Sequence, residues 1–328
     1  YQSPRMVSVD VSRRVVAFIG EHPDVFPGVS VQERTQRSYP HGSLAAHVVG
    51  YVGTVSQEQL EASGSGEDGT PEYRSGDVVG QSGVELSYES VLAGVRGEQT
   101  VFVDAHGDVL GYSTNIDPVP GSDVVLTLDI DIQAAAEESL ARIVEQRRAA
   151  GADCPGGSVV AIDCTNGEVI AMASYPTFSP NVFTGGIAQS DWDVLSAEDS
   201  HYPLLNRAIS GQYAAGSVIK PLTSFAALNY GIATPDSSWY CSGWWSWSGK
   251  SQGDTIMKCW QESGHGAIGL SSGITYSCDV VFYEIGKGFY NSENPEGMQE
   301  TFRAYGLGSK TGIDLNGEEA GGIPDAAW

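Results

Sequence analysis

Apolar and polar residues follow two patterns along this chain, and each pattern predicts a different kind of element. In the first part, short β-like runs at residues 6–11, 29–34 and 99–103 alternate with Gly-rich turns, which predicts strands. Residues 80–85 (Gly-Gln-Ser-Gly-Val-Glu) then lead into a stretch of helical character at residues 86–92. This part contains no recognisable catalytic constellation, so we interpret it as a structural module.

The pattern changes beyond a linker with Pro and Gly at residues 115–123. Residues 124–128 predict a strand. Residues 130–148 predict a helix, with an apolar side formed by Ile132, Ala135, Ala136, Leu140 and Ile143. We therefore divide the chain into one domain over residues 1–121 and a second over residues 122–328.

Two further apolar runs, at residues 158–163 and 169–174, predict a pair of strands. The turn between them contains Asn166-Gly167, a strong signal for a tight hairpin. A long helix next to antiparallel strands indicates an α+β fold, in which an antiparallel sheet is packed by helices.

Composition narrows the class of protein. The chain has 328 residues, 41% of them hydrophobic, which is enough for two domains with real cores. Its net charge of −24, from 41 acidic and 17 basic residues, argues against nucleic acid or an anionic lipid surface as a direct partner. No run of 18 apolar residues is present, and the chain begins at Tyr1 without a signal peptide, so we expect any membrane anchor upstream of it.

Ser217 and Lys220 form the first candidate catalytic motif. Three residues apart, they lie on one face of a helix, and Gly216 and Pro221 both favour a helix start at Ser217. Helix-terminal N–H groups favour negative charge beside Ser217, and a buried neutral Lys220 can remove the hydroxyl proton. A surface serine and lysine on an ordinary helix show the same spacing, so the motif alone leaves both interpretations open.

A second candidate motif follows sixty residues later, in Tyr276-Ser277-Cys278-Asp279. Ser-x-Asp triplets are common, and a serine before an apolar helix is also an ordinary cap. The order and spacing relative to Ser217 make Ser277 and Asp279 candidate catalytic residues.

A candidate metal site is formed by Cys241, Cys259, His265 and Cys278, whose side chains suit tetrahedral zinc. Their spacing, C-x17-C-x5-H-x12-C, is looser than in a zinc finger. The alternative is a Cys241–Cys259 disulfide with Cys278 as a small buried residue. The odd number of cysteines, five, argues against a complete disulfide framework.

Several separate motifs, in this order, resemble those of the class B penicillin-binding proteins, and most closely the elongation-type penicillin-binding protein 2. Besides Ser217 to Lys220 and Ser277 to Asp279, these are residues 39–51, 80–85, 167–176 and 206–208. The resemblance covers nearly the whole chain. It implies a non-catalytic, β-rich pedestal or dimerisation-like module over residues 1–121 and a penicillin-binding transpeptidase domain over residues 122–328, whose C-terminal part lies beyond Trp328.

The resemblance also implies an activity. Such proteins are serine D,D-transpeptidases that cross-link peptidoglycan stem peptides, with a D-Ala-D-Ala donor, at the extracytoplasmic face of the bacterial cell membrane during elongation and shape maintenance. They are inhibited by β-lactams. Expected partners are a membrane glycosyltransferase and other proteins of the elongation complex. Two alternatives stay open: a carboxypeptidase or β-lactamase-like hydrolase, and a non-catalytic sensor or scaffold.

Roles for individual residues are carried over from the family. Ser217 is the acylated nucleophile, Lys220 its general base, and Ser277 a proton relay between the lysine and the leaving group. Asp279 takes the third position of the second motif, where the elongation type often has Asp. A carboxylate beside Lys220 favours the charged ammonium, which is a worse base.

Two further expectations depend on the resemblance. Lys310-Thr311-Gly312 matches the letters of the family's third motif, but residues 306–318 resemble a different family loop, so we expect Lys310 to be non-catalytic and the true motif to lie beyond Trp328. Some elongation-type members carry a structural zinc in the region of Cys278. A zinc here would brace the catalytic segment, and catalysis itself is expected to need no cofactor.

Overall fold

A computed structural model describes residues 7–8, 11–31, 35–63, 73–103 and 109–325 of the chain. The chain divides into two compact units, Tyr1–Pro40 and His41–Trp328. The first unit contains one helix, α1 (Arg13–Glu21), within the described residues. The described residues of the runs at 6–11 and 29–34 are not strands, and residues 6, 9, 10 and 32–34 lie outside the described part.

The second unit opens with short helices and two hairpins. Its first elements are α2 (Ala46–Val49), β1 (Val52–Thr54), α3 (Gln57–Ala62), β2 (Val78–Gly80), α4 (Gly83–Ser87), α5 (Glu89–Leu92), β3 (Glu98–Val103) and β4 (Val109–Ile116). β1 pairs with β2 and β3 with β4, both antiparallel. The predicted strand at 99–103 and the helical stretch at 86–92 are both confirmed, although a break at Tyr88 divides the latter.

Two glycines explain the conspicuous motif at residues 80–85. Gly50, at the end of α2, and Gly83, at the start of α4, both have left-handed φ angles, of 79° and 58°. A Cβ on Gly50 would collide with the Ser82 carbonyl oxygen, and one on Gly83 would collide with that of Val48. Only glycine at both positions lets the two helix ends meet backbone to backbone.

A long helix, α6 (Ile130–Ala149), follows the linker as predicted. Asp129 caps it by accepting hydrogen bonds from the Asp131 and Ile132 amides, each 3.0 Å. The predicted strand at residues 124–128 was wrong, because this segment carries no strand. It is fixed to the following hairpin by single hydrogen bonds, such as that from Thr127 Oγ1 to the Val169 carbonyl oxygen (2.7 Å).

The buried face of α6 overlaps the predicted one only in part. Leu140 is buried and Ala136 packs on the same cluster, as predicted, whereas Ile132 and Ile143 are 45% and 50% exposed. Gln133 and Val144 are buried in their place. The Gln133 amide donates to the Met172 carbonyl (2.9 Å) and accepts from the Met172 amide (2.7 Å), so it pairs with the strand as a neighbouring backbone would. Hydrogen bonding to main chain allows this polar side chain to face the core.

The predicted hairpin is confirmed as β5 (Gly157–Ile162) and β6 (Val169–Tyr175), paired antiparallel. In its turn, Asp163 accepts hydrogen bonds from the hydroxyl (2.6 Å) and amide (2.8 Å) of Thr165, which lower the pKa of the Asp163 carboxyl. Gly167 takes the left-handed φ of 85° that closes the turn.

The remaining elements surround a helical core. They are α7 (Gln189–Ser196), α8 (Arg207–Ser210), α9 (Lys220–Asn229), β7 (Ser238–Cys241), β8 (Trp244–Trp245), β9 (Met257–Lys258), β10 (Gly266–Gly269), α10 (Leu270–Thr275), α11 (Asp279–Tyr290) and α12 (Gly297–Ala304). β7 pairs with β10 and β8 with β9. Helices and antiparallel pairs together give the predicted α+β class.

The largest buried cluster among the described residues lies where α9, α11 and β10 meet. Its members include Ala226, Ala227, Ile268, Leu270, Val281, Ile285 and Phe289, together with Cys241, Cys259 and Cys278. The elements that carry the candidate site residues therefore pack on one common core. No helix in the described ranges combines the length and the apolar composition that a membrane span requires.

Candidate active site

Ser217 lies in a 3-10 turn, Gly216–Ile219, that leads directly into α9. The predicted position at the start of a helical segment is confirmed, although the first turn is a 3-10 turn and not α-helical. Gly216 provides the left-handed entry, with φ of 56°, and Pro221 lies in the first turn of α9, where its missing amide hydrogen leaves no bond unmade. Ser217 is exposed, so a substrate can reach its hydroxyl.

Lys220, at the beginning of α9, is 8% exposed and donates to three oxygen atoms. Its Nζ lies 2.9 Å from the Ser277 carbonyl oxygen, 3.1 Å from Ser277 Oγ and 2.6 Å from Asp279 Oδ1. The Phe282 ring centroid lies 5.2 Å away and covers the ammonium group on another side. The lysine is therefore held in one orientation.

Ser277 Oγ connects the lysine to the serine of the first motif. It donates to Ser217 Oγ at 2.8 Å and accepts from Lys220 Nζ at 3.1 Å. The structure thus brings together all four residues predicted as catalytic, in a continuous path of hydrogen bonds from Ser217 through Ser277 to Lys220 and on to Asp279. This arrangement can transfer a proton from one hydroxyl to an amine.

The backbone at Ser277 has an unusual conformation. With φ of 50°, it occupies the left-handed region that non-glycine residues rarely adopt, at a cost of about 1–3 kcal/mol. The turn lies between the end of α10 at Thr275 and the start of α11 at Asp279. This conformation presents both the carbonyl and the hydroxyl of Ser277 to Lys220 Nζ.

Both carboxylate oxygens of Asp279 have partners. Oδ1 forms the ion pair with Lys220, and Oδ2 accepts from the backbone amide of Trp260 at 3.1 Å. Asp279 is also the first residue of α11, where the helix dipole favours a negative charge. Sequence reasoning missed Trp260; its position directly after a candidate ligand, Cys259, was the available signal.

The Lys310-Thr311-Gly312 stretch is irregular and not a strand. Glu318 Oε1 accepts from the Thr311 amide (2.7 Å) and hydroxyl (2.6 Å), and these bonds lower the pKa of the Glu318 carboxyl. A hydrogen bond from the Asn316 amide to Ser87 Oγ, 3.0 Å, fixes the same loop to α4. That Lys310 has no catalytic role stays a prediction.

The four candidate metal ligands also converge. One donor atom from each of Cys241, Cys259, His265 and Cys278 lies within 4.8 Å of all the others. The three cysteines are buried free thiols, and Cys259 Sγ lies 3.7 Å from His265 Nδ1. His265 Nε2 is buried without a hydrogen-bond partner. Three sulfurs and an imidazole, with a buried polar atom left unsatisfied by the protein, fit a zinc ion.

Two of these thiols differ in their acidity. Burial alone would raise the pKa of Cys241, but hydrogen bonds from the His265 backbone and side chain, and from Gly243, lower it to about 7. Burial raises the pKa of Cys278 to about 12, and the neighbouring thiols add to the rise. A Cys241–Cys259 disulfide would use only two of the four donors and leave Cys278 and His265 beside it.

Comparisons with known proteins identify the family. The penicillin-binding protein dimerisation domain model matches residues 1–126, and the penicillin-binding protein transpeptidase domain model matches residues 157–328. Peptidoglycan D,D-transpeptidase MrdA of Acinetobacter baumannii is 34% identical over 322 residues, which are 98% of this chain and 44% of that protein. MrdA of Escherichia coli K12 is 33% identical over 304 residues, 92% and 44% of the two chains.

Solved structures give the same assignment. The penicillin-binding protein 2 of Helicobacter pylori, in complex with MreC, superposes with a TM-score of 0.76 and 28% identity over 97% of this chain and 55% of that one. A Pseudomonas aeruginosa penicillin-binding protein 2 bound to WCK 5153 gives 0.65 and 29%, over 91% and 57% of the two chains. The chain spans about half the length of the relatives it matches. It belongs to the penicillin-binding proteins, and among them to the penicillin-binding protein 2 group.

Proposed function

We propose that this chain carries the acylation centre of a peptidoglycan D,D-transpeptidase that cross-links stem peptides in cell elongation. The observation that carries the proposal is Ser277 Oγ, which lies 2.8 Å from Ser217 Oγ and 3.1 Å from Lys220 Nζ. A nucleophile, a relay and a base are thus in contact. The names of the MrdA relatives support the same reaction and substrate class.

In acylation, Ser217 Oγ attacks the carbonyl carbon of the penultimate D-Ala of the donor. With Lys220 neutral, the two hydroxyl hydrogens turn so that Ser217 donates to Ser277 Oγ and Ser277 donates to Lys220 Nζ, the reverse of the resting hydrogen bonds. The proton of Ser217 then passes to Ser277 Oγ as that of Ser277 passes to Nζ. The Ser217 amide, in the first helical turn, supplies one hydrogen bond to the developing oxyanion. The C–N bond then breaks, and terminal D-Ala leaves with the proton that returns along the same path.

In transfer, the amine of an acceptor peptide attacks the Ser217 ester and gives its proton to the same relay, which restores the Ser217 hydroxyl. The relay accepts a proton only when Lys220 is neutral. The ion pair with Asp279 Oδ1, 2.6 Å from Nζ, fixes the position of the lysine beside the relay.

The test separates three outcomes with one substrate. The protein, expressed from its complete reading frame, is incubated with a peptide ending in D-Ala-D-Ala and an amine acceptor. We expect released D-Ala and an acyl–amine product, both lost in Ser217→Ala and retained in Ser196→Ala, an exposed serine of α7. Release of D-Ala with formation of the free carboxylic acid of the donor, and without the acyl–amine product, would indicate a hydrolase. No release of D-Ala would indicate a scaffold.

We also propose that Cys241, Cys259, His265 and Cys278 hold a structural zinc. A zinc ion bound there would cross-link the loop that carries Cys259 to the segment that carries Cys278. We expect about one zinc per chain in protein purified without chelator. Less than half a zinc per chain, or an intact mass two hydrogens lower than that of the reduced chain, would favour the disulfide.

For its setting, we propose the extracytoplasmic face of the bacterial cell membrane, with an anchor outside these residues. The proposed partners are elongation-complex proteins, including a membrane glycosyltransferase. The H. pylori relative in complex with MreC, and a 31% identical structure from a peptidoglycan synthase complex, support this assignment. Affinity purification of the tagged protein from membranes should recover such partners, and their absence from cross-linked samples would count against it.

A further inference from the structure

Trp260 contacts both ends of the segment that carries the second motif. Its backbone amide donates to Asp279 Oδ2 at 3.1 Å, and its indole Nε1 donates to the Tyr276 carbonyl oxygen at 2.9 Å. Ser277 and Cys278 lie between these two acceptors. One residue on a different loop therefore fixes both sides of Ser277.

A hydrogen bond to the Tyr276 carbonyl can fix the backbone conformation of Ser277. It belongs to the peptide plane between Tyr276 and Ser277, and rotation of this plane changes the φ angle of Ser277. That angle is 50°, a strained value that persists only when neighbouring groups impose it. Because the Ser277 carbonyl and hydroxyl both contact Lys220 Nζ, a rotation here would lengthen the path from Ser217 to the lysine.

The second bond orients the carboxylate. With Oδ2 of Asp279 occupied by the Trp260 amide, Oδ1 is the oxygen that faces Lys220 Nζ at 2.6 Å. The two hydrogen bonds of Trp260 thus act on the relay and on the partner of the base. Neither bond involves the substrate.

The indole ring is not held by burial. Trp260 is 63% exposed, and its ring meets His265 edge-on, with centroids 5.5 Å apart. Loss of the N–H group therefore opens no buried cavity, so the hydrogen bond can be removed without damage to the core.

We infer that Trp260 is a positioning residue for acyl transfer: its indole N–H holds Ser277 in its strained conformation, and its amide orients Asp279 toward Lys220. The inference rests on the proposed function, since it concerns the geometry of the same relay. It predicts an effect on the chemical step and none on the noncovalent binding of a ligand.

The experiment measures penicillin acylation by stopped flow in the protein expressed from its complete reading frame, and separates the noncovalent dissociation constant from the acylation rate constant. Trp260→Phe should lower the rate constant about tenfold, with the dissociation constant changed less than twofold. Incorporation of 3-benzothienylalanine at position 260, in which sulfur replaces only the N–H, should give the same loss with an unchanged melting temperature.

Trp245→Phe is the matched control. It also removes an indole donor, from Nε1 to Glu284 Oε1 at 2.6 Å, in the neighbouring strand β8. It should leave the acylation rate constant within twofold of the wild type. If this control lowers the rate as much as Trp260→Phe does, the effect is general destabilisation and the inference fails.

Two other outcomes overturn the inference while Ser217 still forms an adduct, so the proposed function would stand. One is an unchanged rate constant in the 3-benzothienylalanine protein. The other is a weaker dissociation constant with an unchanged rate constant, which would make Trp260 a ligand contact. Absence of any adduct in the wild-type protein would instead remove the proposed function itself.

Discussion

Ser277 and Asp279 face Lys220, whereas Cys278, between them, places its sulfur within 4.8 Å of donor atoms from Cys241, Cys259 and His265. The two clusters therefore share one stretch of chain and differ in their physical character. In the catalytic cluster, Lys220 Nζ and both Asp279 oxygens have hydrogen-bond partners, and Ser217 is exposed. In the cysteine–histidine cluster the thiols are buried, and one imidazole nitrogen has no protein partner.

This difference indicates that the two clusters have different roles. The partly open, fully hydrogen-bonded side is suited to moving protons, and the buried sulfur side is suited to holding the backbone still. Substitutions on the two sides should therefore separate chemistry from stability.

Lys220→Gln removes the amine from the catalytic cluster. It removes the proposed base, so the rate constant for penicillin acylation should fall about a thousandfold. Lys287→Gln is the control, because Lys287 Nζ contacts the Trp247 carbonyl and ring and lies on the same helix as Asp279, and its loss should change the rate less than twofold. A Lys220→Gln rate within tenfold of the wild type would contradict the assigned role.

His47 lies outside both clusters and should make the free energy of unfolding depend on pH. Burial lowers the pKa of His47 to about 4, against the opposing effect of its hydrogen bond to the Pro203 carbonyl (2.7 Å). Unfolding lets the ring bind a proton near pH 6.5, so stability is full above that pH and falls by about 3 kcal/mol as pH drops to about 4. Denaturant titrations should show a smaller pH slope in His47→Gln and an unchanged slope in the control His41→Gln.

Cys278→Ser tests the other side of the shared segment. It should abolish binding of the proposed zinc and lower the free energy of unfolding by about 2 kcal/mol or more, since one of the four proposed ligands is lost. Cys164→Ser, at an exposed thiol in the β5–β6 turn, should change neither quantity. Retention of one zinc per chain in Cys278→Ser, measured by elemental analysis, would exclude Cys278 as a ligand.

Asp279→Asn changes the charge in the catalytic cluster and preserves the shape of the side chain. The amide oxygen can still accept from Lys220, but the amide NH2 would then face the Trp260 amide, which is also a donor. Loss of the carboxylate also removes a group that favours the ammonium. These effects oppose each other, so acylation should stay within about tenfold, or ~1.4 kcal/mol. A fall beyond a hundredfold would give Asp279 an indispensable catalytic role.

The sequence predicts the parts of this site that depend on residue identity and chain order. The motifs of Ser217 to Lys220 and of Ser277 to Asp279 predict the catalytic cluster through their resemblance to the family, and the side-chain chemistry of Cys241, Cys259, His265 and Cys278 predicts the second cluster. The Asn166-Gly167 turn likewise predicts its hairpin, because the turn type requires those residues.

Other parts depend on backbone geometry, which residue identity does not encode. The contact from Trp260 to Asp279 uses a main-chain amide that every residue except proline possesses. The left-handed φ of Ser277 runs against the ordinary preference of a non-glycine residue. The burial of Gln133 reverses the hydropathy pattern of α6, because its amide replaces a strand partner. Each of these is a tertiary contact that overrides a local preference.

The most direct test of the account is the site of covalent attachment. The wild-type protein, expressed from its complete reading frame, is incubated with benzylpenicillin, and the modified peptide is mapped by mass spectrometry. We predict one penicilloyl group per chain, on the Ser217 hydroxyl, and none in Ser217→Ala. Attachment to any other residue, or an adduct of equal amount in Ser217→Ala, would contradict the assignment of Ser217 as the acylated nucleophile.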